Sequence, residues 1–471
     1  MKIPNKWVGD RAFYFSMLHL AIPLIIQQAV SSFVSLLDNV MVGALGTESI
    51  SGVAIVNQLV FVYYLTVFGT LSGASIFGSQ FFGVGDHKGL RDTFRFRLIA
   101  CLGLTVVAIV VFLTAGDSLT ALFLTDDGTS DVGLTASLAS QYMQITLWGL
   151  VPYAIAQVYS SVVRETGDAF QPMVASVLSI LVNLLFNYLL IFGKLGFPAM
   201  GVAGAAWATV LSRYVECFYL LIATHRRPDK YRFIQGALRS LRIPLTLCRR
   251  IVITGLPLML NECLWSLGST MINQSYSTRG LTVVAATNIQ STVWNLFTII
   301  MFAMGSVVSI MVGQRLGAGD IEGARETDTR LITFTVVLHM IIGTILVLTA
   351  PYIPYIYNTT DEVRSLTSTL LYISGAVLPV TAFMHTCYFT VRSGGKTIIT
   401  FLFDCGFTWC VVLPLVVCLC SFTDLPMAVI FLLAQLSEVI KAVIGFWMLK
   451  SGIWAKNLIH DLGGKAEEST L

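Results

Sequence analysis

Three carboxylates stand out in this chain because of where they fall. Asp38, Glu262 and Asp404 each lie in a long stretch that is otherwise almost wholly apolar. An ionisable group in such a setting is costly and needs a partner or a task. Asp38 closes a stripe with Gln28, Ser31 and Ser35, at spacings that put all four on one helical face. Asn183 and Asn187 are four apart and share a face of their own. Helical rise sets both ~18–24 Å into their stretch, and it brings Thr209 to a similar depth in the next one. Asp38, Asn183, Asn187 and Thr209 would then form one oxygen-rich cluster. Carboxylate, amide and hydroxyl oxygens suit a hard cation such as sodium. A carboxylate taken out of water can equally carry a proton. Two plainer readings stay open: Asp38 as a boundary residue that caps or snorkels, and the asparagines as hydrogen-bond glue between neighbouring helices.

Glu262 falls ~16 Å into its own stretch, near a membrane midplane, and Trp265, Ser266, Ser269 and Asn273 continue its face. Asp404 sits near the middle of a later stretch. Two such acids can take up protons or hold a cationic ligand; local pairing is the alternative. Arg213 with Glu216, and Glu438 with Lys441, are i, i+3 neighbours and read as self-neutralised structural pairs. His339 and His385 are lone histidines on apolar segments and read as packing residues. Arg164 and Arg392 close their helices, where a base complements the helix dipole. No nucleophile, base and orienter can be assembled, and no zinc-protease, hydrolase or nucleotide-loop signature occurs. The nine cysteines are scattered without ligand spacing, so neither a metal centre nor a disulfide framework is expected. An enzyme and an ATP-driven pump are both excluded on this reading. No cofactor is expected beyond a coupling ion.

The elements that carry these residues follow from composition. The chain has 471 residues, 55% hydrophobic and 12% charged, whereas soluble domains carry about 25% charged residues. Twelve stretches are long enough to cross a bilayer, at roughly 13–42, 50–76, 94–116, 134–162, 171–192, 199–223, 251–276, 283–312, 331–350, 366–391, 397–421 and 427–449. They lack the alternation of barrel strands, so an all-α membrane protein is expected. Lys and Arg cluster before the first stretch, between the second and third, and in the long gap from 225 to 250. The alternate gaps hold Lys194, Arg279 and Arg364 among acids such as Asp126, Asp127, Asp131, Asp361 and Glu362. By the positive-inside rule both termini face the cytoplasm of a multi-pass plasma-membrane protein. The basic residues therefore read as topology signals facing lipid and cytoplasm, not as a nucleic-acid surface. The first stretch is too long for a cleavable signal peptide.

The chain also repeats itself. Gln80, Gly83, Gly85, Asp86, Gly89, Arg91 and Thr93 return 234 positions later as Gln314, Gly317, Gly319, Asp320, Gly323, Arg325 and Thr327. Pro23 and Pro257 obey the same shift, while Val163 and Arg164 recur 228 positions on as Val391 and Arg392. Two lobes of six helices are expected, 1–232 and 233–471, in parallel orientation. Asp86 and Asp320 are placed to cap the helices that follow them.

Several segments together resemble the MATE (multidrug and toxic compound extrusion) family. They are 38–46 (DNVMVGALG), the paired Gln-x-x-Gly-x-Gly-Asp motifs, 164–168 (RETGD), and Asn183 with 187–193 (NYLLIFG). The resemblance covers nearly the whole chain. It implies a twelve-helix, two-lobe antiporter that expels organic cations and other amphiphiles in exchange for Na+ or H+. It implies a coupling role for Asp38 and matches Glu262 to the glutamate of NorM-like members. Asn187 stands where DinF-like members carry aspartate, and no carboxylate lies between Leu366 and Val391, where NorM-like members have one. Asp404 is the candidate to replace that missing acid. A lipid-linked oligosaccharide flippase of the same superfamily is the rival reading, and it would need a large cationic cavity. The chain is expected to work as a monomer.

Overall fold

In a computed structural model, residues 7–124 and 131–460 are described, apart from the side chains of residues 34–36. Ser35 of the polar stripe, Asp126, Asp127 and the C-terminal tail from Asp461 lie outside the described residues. Among the described residues every regular element is helical.

The N-terminal half forms α1 (Arg11–Gly43), α2 (Thr47–Val84), α3 (His87–Ala121), α4 (Val132–Glu165), α5 (Phe170–Phe192) and α6 (Val202–His225). The C-terminal half forms α7 (Leu245–Ser277), α8 (Leu281–Phe297), α9 (Ile299–Gly317), α10 (Ile321–Thr349), α11 (Asp361–Ser393), α12 (Thr397–Phe401), α13 (Leu413–Phe422) and α14 (Met427–Ser451). Helices α8 and α9 follow one another with only Thr298 between them, and α12 joins α13 through two π-helical turns, Leu402–Gly406 and Thr408–Val412. Among the described residues, eleven helices are long and apolar enough to cross a membrane by length and composition. The polar α4, 34 residues long, falls outside that set. The chain is a multi-pass membrane protein.

The helix starts follow the capping chemistry expected of them. Asp86 accepts from the Lys88 and Gly89 amides at 3.0 and 2.9 Å, and Asp320 accepts from Gly323 at 2.9 Å. The Gly323 amide and neighbouring Arg315 hold the Asp320 carboxyl below its ordinary range. Pro23 and Pro257 both lie inside helices, α1 and α7.

The chain divides into two compact units. One comprises Ile22–Gly78 and Asp86–Val252; the other comprises Met1–Ala21, Ser79–Gly85 and Ile253–Leu471. Within the first, α4, α5 and α6 pack on one another, and α3 packs on α4. The basic segment after α6 docks on this unit and buries Tyr231 and Phe233 completely. Arg91 and Arg95 of α3 donate to the Phe233 and Ala237 carbonyls at 3.3 and 2.8 Å. Asp168 takes hydrogen bonds from Lys230 and Tyr231. Burial opposes its charge, but these donors outweigh that and hold its carboxyl below the ordinary range.

One expectation is corrected here. The third stretch reads as 94–116, but α3 starts at His87, which places Arg97 in its third turn. It is fully buried and ion-paired with Glu165 at 2.8 Å. Asp86 nucleates the helix earlier than the hydrophobic pattern suggests.

In the second unit, α8, α9, α10 and α14 pack around α11. The repeated motif meets itself there. A Cβ on Gly83 would lie 1.9 Å from the Gln314 carbonyl oxygen, and one on Gly317 would lie 2.0 Å from that of Gln80. Only glycine allows so close a backbone approach at either position.

Candidate functional site

Asp38 lies in the last third of α1. It is approached by α5, where Asn187 donates to its Oδ1 at 2.5 Å. The same Asn187 nitrogen reaches Asn183 Oδ1 at 3.2 Å, and Asn183 lies 3.4 Å from Thr209 Oγ1 on α6. Turning the Asn183 amide over brings its nitrogen to 2.9 and 3.2 Å from the two Asp38 oxygens. Asn183 and Asn187 are buried, at 6% and 2% exposure. The i, i+4 spacing on α5 puts both amides on one side, and the close packing of α5 on α6 brings Thr209 beside them.

Asp38, Asn183 and Thr209 open onto a cavity of about 200 Å³. Its walls include Gln27, Ser31, Asp38, Asn183, Thr209 and Arg213. Gln27 donates to Ser176 at 2.6 Å, and Arg213 holds Glu216 at 3.2 Å while its guanidinium lies 5.0 Å over the Tyr153 ring. The Arg213–Glu216 pair expected from spacing is therefore formed. The Asn187 Oδ1 is buried and has no hydrogen-bond partner. A buried acceptor without a donor is unfavourable by itself. The chemistry this allows is reversible uptake of a small positive charge by one carboxylate and the oxygens around it.

In the other unit, Asp404 sits in the first π-helical turn. Its partners are Asn261 of α7, 3.0 Å away, and Lys441 of α14, 2.8 Å away. Glu262 is next to Asn261 and faces Tyr388 and Arg392 of α11. Trp265 is about half exposed, at 47%, and no ring contact joins it to the cluster. Lys441 reads from spacing as the partner of Glu438, but its ion pair is with Asp404, 37 residues away. His339 is fully buried, with Nδ1 2.7 Å from the Thr335 carbonyl, and His385 meets Phe302 edge-on and lies tilted against Phe389. Both histidines pack. Among the described residues no cluster of His, Cys, Asp or Glu has the composition of a metal centre.

The signal that sequence reasoning lacked at Asp404 is the pair of π-helical turns. Such turns are frequent at functional sites, and no residue pattern announces them.

A scan against family models matches MatE over residues 23–189 and 257–416. The chain belongs to the MatE family. The match falls on both halves of the repeat. The family is one of membrane transporters, not enzymes. The probable multidrug resistance protein NorM of Thermotoga maritima is similar at 22% identity, over 94% of this chain and 93% of its own length. The multidrug resistance protein MdtK of Edwardsiella ictaluri is 25% identical over 75% of each chain. Among solved structures, a MATE protein in a bent conformation superposes with a TM-score of 0.84 at 22% identity, covering 94% of this chain and 95% of the other. An outward-facing multidrug resistance MATE family transporter gives 0.83 at 21% identity, covering 96% and 99%. These likenesses carry the fold.

Proposed function

We propose that this transporter is a secondary active exporter that expels organic cations and other amphiphiles in exchange for Na+ or H+. The observation that carries the reading is Asp38 on a spanning helix, lining a polar cavity and hydrogen-bonded by Asn187, which itself carries an unsatisfied buried oxygen. The names of the relatives, NorM and MdtK multidrug resistance proteins, support drug-like cargo. Asp38, Asn183, Asn187 and Thr209 form the cation site, and Glu262, Trp265 and Asp404 belong to the other half. The lobes of this reading are 1–232 and 233–471, in the plasma membrane with both termini cytoplasmic, and a single chain is the transporting unit. Ion binding can drive export only by favouring one conformational state over another.

An oligosaccharide-lipid flippase is not favoured. Three cations in the helices are already held, Arg97 by Glu165, Arg213 by Glu216 and Lys441 by Asp404, which leaves buried Arg392 as a cation without an ion pair among the described residues. A polyphosphate cargo would require several of them free.

The test is dye transport in reconstituted vesicles, with sodium and proton gradients imposed separately. Dye movement against its own gradient is expected with one of the two and should stop when that gradient is collapsed. Flux that ignores both gradients would make the protein a passive pore and end the antiport reading.

A further inference from the structure

The 228-residue shift that pairs the two halves places Lys441 on Arg213. Both units thus carry a base at the same position of their last helix, and they use it differently. Arg213 turns to Glu216 on its own helix, at 3.2 Å. Lys441 has Glu438 one turn away, yet its ammonium reaches across to Asp404 at 2.8 Å. Asp404 also accepts from Asn261, whose amide nitrogen lies 3.3 Å from the Tyr388 hydroxyl as well. Asn261 is 2% exposed, and its Oδ1 is buried without a partner. Asn261 thus links the Asp404 carboxylate to the Tyr388 hydroxyl and adds a free amide oxygen, and the ammonium lies against one oxygen of that carboxylate. That donor set is the one a small hard cation selects. Lys441 itself is 8% exposed, and Phe403 covers the ammonium at 5.3 Å.

We propose that Asp404, Asn261 and Tyr388 form a site for a small monovalent cation, and that the chain fills it with its own Lys441 ammonium. While Lys441 is in place, this half takes up no mobile cation. Its bearing on transport rests on the antiport reading: ion exchange would then be confined to Asp38, and Asp404 would not replace the acid that α11 lacks. The charged and titratable groups facing Asp404 are Glu262 on α7, His385, Tyr388 and Arg392 on α11, and Glu438 and Lys441 on α14. Of these, Lys441 alone is in ion-pair contact with it.

The test reads binding, through melting temperature in detergent, with every protein carrying Asp38→Asn. Sodium is raised against N-methylglucamine at constant ionic strength and pH; separately, pH is lowered without sodium. Asp38→Asn alone should respond to neither through Asp404. Adding Lys441→Met vacates the site, and the melting temperature should then rise by about 2–4 °C once the cation is tenfold above its dissociation constant. A response to sodium identifies a metal-type site, and a response to pH alone identifies a proton site. Adding Asp404→Asn to that protein should remove either response. It should still fold, because deleting both partners of a buried ion pair is often neutral. Lys441→Gln, which keeps a donor on Asp404 without the charge, serves if Lys441→Met does not fold. The proposal is overturned if the vacated proteins respond to neither cation. It is equally overturned if Asp38→Asn alone shows a cation response that Asp404→Asn abolishes. Since every protein lacks the Asp38 carboxylate, failure of Asp38 to couple transport would leave these outcomes unchanged.

Discussion

Asp38→Asn is expected to reduce gradient-driven dye transport to the level of protein-free vesicles while leaving a folded protein. The change is nearly isosteric. The Asn187 nitrogen, 2.5 Å from Asp38 Oδ1, still finds a carbonyl-type acceptor in an asparagine at position 38. Exchanging a charge-assisted hydrogen bond for a neutral one alters stability by about 1 kcal/mol. What disappears is the negative charge. An amide takes up no proton at accessible pH, and it adds no net attraction for a sodium ion to the neutral oxygens of Asn183, Asn187 and Thr209. Without a charge-compensating event in the cavity, ion and cargo no longer shift the conformational balance in opposite senses. The measurement is paired: transport in vesicles, and cargo binding in detergent. Binding that persists without gradient-driven transport would assign Asp38 to coupling. Transport that keeps its full gradient dependence would remove Asp38 from the mechanism.

The Asp38 cluster was readable because its geometry is local and periodic. Asn183 and Asn187 share a face through their i, i+4 spacing, and helical rise alone brings Thr209 to their depth. The 2.5 Å contact from Asn187 to Asp38 then needs only α1 to lie beside α5. The same reasoning failed where the partner is distant in sequence. Spacing offers Glu438 to Lys441, while the folded chain gives it Asp404, on a rod whose path is altered by two π-helical turns. Trp265 was grouped with Glu262 because the two share a helix face, yet nearly half its surface is exposed. Periodicity identifies a face; it does not say what covers it. The repeat was visible as residue identity. Its physical use, two glycines each admitting a carbonyl of the other copy, depends on a crossing that no single copy encodes.

Arg97→Met is expected to be the most damaging single change to stability, costing about 3–5 kcal/mol in detergent unfolding. The Arg97 side chain joins three helices. It donates to the Ala74 carbonyl of α2 at 2.8 Å, to Ser161 of α4 at 3.1 Å and to Glu165 of α4 at 2.8 Å. Gly78 makes the room, since a Cβ there would lie 2.0 Å from Glu165 Oε2 and 2.5 Å from Arg97 Nη2. Methionine fills much of the same volume, so the loss is electrostatic more than steric. It takes from Glu165, at 1% exposure, the guanidinium that its Oε2 meets at 2.8 Å. Domains hold only about 5–15 kcal/mol in total, so this variant should unfold or misinsert in a large fraction of molecules. Arg97→Met combined with Glu165→Leu separates the causes. Removing both charges deletes the desolvation cost together with the attraction, and most of the lost stability should return. If the double variant is no more stable than Arg97→Met alone, the guanidinium's hydrogen bonds to the uncharged Ala74 and Ser161 acceptors hold these helices together, and the ion pair does not.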